Sequence, residues 1–145
     1  MTDAIKTLET LTDTAIDSAI GYERASEGAK APELKRILRE QGQKRRALVN
    51  DLNGEITRLG GSTRTDGSTA GNAHQIWTKI ATAFSDADEA AAERVEEGED
   101  YIEKKFREAL DRGGFDSETH QLLTRAHGEI AEGERLTDRL ADQYD

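Results

Sequence analysis

Six carboxylates crowd one short stretch of the chain: Glu93, Glu96, Glu97, Glu99, Asp100 and Glu103. Hard oxygen donors at this density are what a divalent metal would require. In helical bundles a di-metal centre takes a Glu from each of two helices and a Glu-x-x-His pair from each of the other two, since that spacing puts both ligands on one face. The histidines here are His74, His120 and His127, and three positions before them stand Gly71, Ser117 and Thr124, so no Glu-x-x-His occurs. Glu40-x-x-Gln43 and Glu129-x-x-Glu132 have the spacing but lack the imidazole. The expectation is therefore no cofactor. If iron or another divalent metal is held, the candidate ligands are Glu23, Glu40, Glu97 and Glu129.

Other chemistries are narrower still. The chain has no Cys, which removes disulfides, thiolate metal sites and cysteine nucleophiles. No Ser/His/Asp nucleophile set is legible. Gly60-Gly61 is not followed by Gly-Lys-Ser/Thr, so it is no phosphate-binding loop. A formal charge of −10 argues against nucleic acid and anionic membrane as partners, because phosphate binding needs a basic footprint. The N-terminus lacks an apolar leader, and no run of about 20 apolar residues occurs. A soluble, cytoplasmic protein is expected.

The elements that must position these side chains are helices. The 145 residues suit one domain, and equal hydrophobic and charged shares of 34% suit amphipathic helices with broad wet faces. Periodicity and stop signals predict helices over about residues 3–27, 32–59, 73–112 and 116–143. Pro32 opens the second, Gly60-Gly61 and Gly113-Gly114 close the second and third, and Asp116 or Ser117 caps the fourth. The short link before Pro32 makes the first two helices antiparallel neighbours. The segment over residues 60–72, rich in Ser, Thr and Gly, is long enough to cross the length of the bundle. The expected architecture is all-α: a ferritin-like four-helix bundle of two antiparallel pairs joined by a long crossover loop.

Several stretches carry a family resemblance over nearly the whole chain. They are Asp17-x-x-x-Gly21-Tyr22-x-x-Ala25, Arg45-x-x-Leu48-x-x-x-Leu52-x-x-x-Ile56-x-x-Leu59-Gly60-Gly61, Gly71-x-x-His74-x-x-Trp77, Glu93-Arg94-x-x-x-Gly98-Glu99-Asp100, and Ala109-Leu110. Together they resemble a bacterial family of ferritin-like four-helix bundles that carries only a domain-of-unknown-function label. The resemblance implies that fold and a soluble bacterial protein, and it implies no reaction. Two positions depart from the family pattern. Glu134 stands where the fourth helix often has His, and Phe106 where the third often has Tyr.

Helical stepping indicates which polar groups face inwards. With Gly98 as the seam of the third helix, at about 100° per residue, Glu97 and Glu99 lie about 100° to either side. Glu93, Glu96, Asp100 and Glu103 lie farther towards water, and Arg94 is about 40° from the seam. The same stepping puts Gln41 and Arg45 on the second seam, Glu129 on the fourth and Glu23 on the first. The expectation is a buried polar layer of Glu23, Gln41, Arg45, Arg94 and Glu129 in place of a metal site, since guanidiniums repel a dication and fill its room. Gly98 and Gly133, also on seams, allow close helix contact or space for a large neighbour.

A non-enzymatic structural or interaction protein fits this pattern best. The alternatives are a di-metal carboxylate oxidase or ferroxidase, and a small-ligand module beside the crossover loop at His74 and Trp77. Leu11, Ile20, Val49, Leu110 and Leu123 lie off the main seams, where they widen the core or form the face of a homodimer. The sequence names no other protein partner.

Overall fold

The computed structural model describes residues 2–68 and 88–145. Four α-helices and no strand occur among the described residues: α1 (Thr2–Gly28), α2 (Pro32–Arg58), α3 (Asp88–Arg112) and α4 (Ser117–Gln143). The expected first part of the third helix, with His74 and Trp77, and the last four residues of the expected crossover segment, 69–72, lie outside the described residues. No described helix is long and apolar enough to cross a membrane.

Local chemistry sets the helix ends. Pro32 occupies the first turn of α2, where a missing N–H costs nothing. The backbone N–H groups of Lys30 and Ala31 donate to the Asp88 carboxylate at 2.8 and 2.9 Å, so the start of α3 holds the α1–α2 link. At the end of α2 Gly60 takes φ 91°, Gly60 N–H donates to Thr57 O at 3.0 Å, and Gly61 N–H donates to Ile56 O at 2.9 Å. This paired closure needs a left-handed residue, which glycine adopts without strain. Asp116 caps α4 by accepting from Thr119 N–H at 2.8 Å.

The helices pack as two pairs. α1 lies along α2 and also meets α3; α4 lies along α3 and meets α2 over a shorter stretch. Along the first pair Ser26 meets Lys35, Tyr22 faces Gly42 and Ser18 meets Arg45. Along the second, Glu96 meets Asp138, Asp100 meets Glu134 and Glu103 meets His127. In both pairs the partners run in opposite chain order.

Buried positions alternate three and four residues apart. On α3 the seam is Ala92, Val95, Glu99, Ile102, Phe106, Ala109; on α4 it is Thr119, Leu123, Ala126, Ile130, Gly133, Thr137, Leu140. That 3.5-residue period belongs to helices that wind about one another. A stripe set one residue off on a helix is rotated by about 100°, and the observed register corrects several expectations. On α1 the inward residue is Tyr22, and the Glu23 side chain is 42% exposed. On α3 it is Glu99, and the Arg94 side chain is 40% exposed. On α4 it is Ile130, with Glu129 exposed beside it.

The apolar core falls into two clusters. One gathers Leu8, Ile16, Leu52, Ile56, Ile102, Phe106, Leu123 and Ile130. The other gathers Tyr22, Leu34, Leu38, Val95 and Leu140 nearer the α1–α2 link. Leu11, Val49 and Leu123 are buried in the first cluster, and Ile20 and Leu110 pack half-buried against it, so these five widen the core.

Candidate functional site

Between the two apolar clusters every helix contributes a polar or absent side chain: Ser18 from α1, Gln41 and Arg45 from α2, Glu99 from α3 and Gly133 from α4. Arg45 is 4% exposed and Glu99 0%. Arg45 Nη2 lies 2.9 Å from Glu99 Oε1 and donates to Oε2 at 3.0 Å. Arg45 Nη1 donates to Ser18 Oγ at 2.8 Å, and that hydroxyl donates to Ala15 O at 2.8 Å. The guanidinium carbon stands 5.7 Å from the centre of the buried Tyr22 ring, within cation–π range.

Gly133 makes room for this arrangement. A Cβ there would stand 2.5 Å from Glu99 Oε2 and 3.6 Å from Gln41 Oε1. The absent side chain is thus filled by a carboxylate from the facing helix. Glycine weakens a helix interior, and here it allows Glu99 to reach the centre of the bundle.

The electrostatics follow from burial and partner. Burial pushes the Tyr22 hydroxyl well above its usual range, and the charge and hydrogen bond of Glu99 push it further, while Arg45 opposes them. Burial alone would lower Arg45, but Glu99 outweighs it and the guanidinium is held more firmly protonated. Tyr22 therefore stays a neutral donor. The two charges face each other. A buried pair of this kind adds little net stability but can fix which helix faces meet.

A di-metal centre, which a ferritin-like fold would imply, does not fit these residues. The middle of the bundle holds a guanidinium, and Glu-x-x-His is absent. The four candidate ligands do not converge. Glu23 is held by Arg46 through two 2.8 Å hydrogen bonds, Glu40 by Arg36 at 2.9 Å, and Glu97 by Arg94 at 3.2 Å, while Glu129 is exposed. Of the expected polar layer, Arg45 and Gln41 are buried, whereas Glu23, Arg94 and Glu129 are replaced by Glu99 and Ser18. Stepping from Gly98 put Glu99 about 100° off the seam, whereas it is buried on it; the alternation Ala92, Val95, Glu99, Ile102, Phe106 is the sequence signal that could have found it.

The remaining acids of α3 form a second feature on the outer α3–α4 seam. Glu96 meets Asp138, and burial, that hydrogen bond and the nearby charges of Asp138, Asp100 and Asp142 push its carboxyl up to about 7. Burial and the charge of Asp138 also raise Asp100, and burial and the charge of Asp100 raise Glu134. His127 Nε2 lies 2.7 Å from Glu103 Oε2 at the next level. At the far end, carboxylate oxygens of the exposed Glu89, Glu93 and Asp145 lie within 4.8 Å of one another.

The family model described as "Domain of unknown function (DUF2383)" matches residues 3–112. The chain belongs to that family. The DUF2383 match spans α1, α2 and α3 and so includes Ser18, Tyr22, Gln41, Arg45 and Glu99; α4, with Gly133, follows it. No curated protein matches the chain.

Proposed function

We propose that this member of the DUF2383 family is a soluble, non-enzymatic helical scaffold that works through protein contact. Its fold is read as a ferritin-like bundle of two antiparallel pairs joined by a crossover, in a bacterial cytoplasmic protein. The observation that carries the reading is the fully buried Arg45–Glu99 pair between two apolar clusters. Arginine and glutamate meet there as an ion pair, the arrangement this reading puts in place of a di-metal carboxylate centre. The opposite run of partners along both helix pairs supports the topology, and the resemblance of the sequence supports the family setting.

The test is elemental analysis of the purified protein together with an Fe²⁺ oxidation assay. The expected result is no stoichiometric iron, manganese or zinc, and oxidation no faster than in buffer. Stoichiometric iron with accelerated oxidation would overturn the reading and favour the ferroxidase alternative. A ligand module at Trp77 is addressed by a thermal-shift screen, because a ligand that binds only the folded state raises Tm.

A further inference from the structure

Among the described residues, the α2–α4 side of the bundle is packed more sparsely than the α1–α3 side. A cleft of about 600 Å³ opens there, lined by Lys44 and Gln41 of α2 and by Glu129, Glu132, Arg135 and Arg139 of α4. Six other arginines find carboxylates within the chain, namely Arg36, Arg46, Arg58, Arg64, Arg94 and Arg125, while the exposed Arg24, Arg39 and Arg112 form no ion pair among the described residues. The four α4 charges in the cleft form no ion pair among the described residues.

Their order along the helix is two acids and then two bases. Both the Glu132/Arg135 pair and the Glu129/Arg139 pair are centred beside Gly133. A second α4 lying antiparallel about that point would set Glu132 against the partner's Arg135 and Glu129 against the partner's Arg139, each contact made twice. Such self-complementarity is what an isologous interface requires.

Gly128 adds an independent observation. It lies one helical turn before Glu132, exposed, and nothing stands within 4 Å of the position a Cβ would take. Glycine weakens a helix interior relative to alanine, and no contact among the described residues requires it at this position. Its missing side chain leaves room for close approach of another helix.

We infer that the protein forms a twofold dimer through the face of α4 that carries Gly128, Glu132, Arg135 and Arg139, the occupant being a second copy of this chain. The inference rests on the reading of the protein as one that acts through protein contact, and it names the partner. A net charge of −10 opposes association at most faces. The outer α3–α4 seam would bring acids against acids, whereas the α4 face presents both signs in self-matching order.

The test uses the full chain in sedimentation velocity, with helicity and Tm followed by circular dichroism. The wild type is expected to dimerise, less tightly at high salt. E129R/E132R makes the four α4 charges of the face all basic and R135E/R139E makes them all acidic; each alone is expected to weaken dimerisation by about 100-fold. An equimolar mixture of the two is expected to restore a one-to-one heterodimer. G128L, which favours the helix but blocks approach, is expected to stay folded and become monomeric. A monomeric wild type, reversed variants that dimerise normally, or a mixture that stays monomeric overturns the inference. None of these outcomes depends on the metal and iron-oxidation assays, which test the functional reading separately.

Discussion

Glu96 and Glu99 stand less than one turn apart on α3, and their surroundings are opposite. Glu99 is completely buried and meets a guanidinium, with a tyrosine hydroxyl directed at it and a glycine facing it. Glu96 is only partly buried, yet the groups that face it are Asp138 and Asp142 on α4 and Asp100 on its own helix. The more exposed carboxyl is thus pushed up to about 7. What the neighbours carry matters as much as depth: the bundle supplies a cation to the acid at its centre and only acids to the one at its edge.

The first way to break this contrast is to remove the cation from the centre. Arg45→Met leaves Glu99 buried with its counter-charge gone, and should cost about 3–5 kcal/mol in urea unfolding. An unchanged midpoint would mean that Glu99 finds water or another partner. A smaller effect is expected from filling the space that Glu99 uses. Gly133→Ala places a Cβ against the carboxylate and should cost about 1–3 kcal/mol. Gly54→Ala on α2, with nothing within 4 Å, should instead stabilise by about 1 kcal/mol. Equal effects at the two glycines would remove the packing argument.

The smallest effect lies at the edge. Glu96 holds its proton more tightly when folded than its ordinary carboxyl value of 4.5. Its contribution to stability is fully present below about pH 4.5 and is lost as pH rises through about 7. Glu96→Gln should flatten this part of the Tm–pH profile, whereas a profile unchanged by the substitution would place the titration elsewhere. Asp116 has the opposite sign. The hydrogen bonds from Arg58 and from Thr119 N–H hold it at about 2, so its contribution is present above about 3.8 and lost as pH falls through about 2.

Much of the fold was legible because its signals are local. Pro32, Gly60-Gly61 and Asp116 act on the backbone within a turn of themselves, and α2 shows its seam from Leu34 through Gln41 and Arg45 to Leu52. The polar centre was legible only on the helix where the expected and observed registers agree. On α1, α3 and α4 the choice between Tyr22 and Glu23, Glu99 and Arg94, or Ile130 and Glu129 is one of register, where a shift of one residue turns the stripe by about 100°. A charged residue on the seam also contradicts its own hydropathy, so Glu99 reads as a surface acid until Arg45 and Gly133 are seen to meet it. That meeting brings together residues 54 and 34 positions from one another along the chain, Arg45 with Glu99 and Glu99 with Gly133, and no local pattern encodes it.

The central claim is that Arg45 and Glu99 act as one unit at the middle of the bundle, and a double-mutant cycle in urea tests it most directly. Arg45→Met and Glu99→Leu are measured singly and together. Each single change should lose about 3–5 kcal/mol, and the double variant should return close to wild-type stability or exceed it, because the apolar pair no longer requires a buried charge. Losses that simply add in the double variant, or single losses below about 1 kcal/mol, would contradict the account.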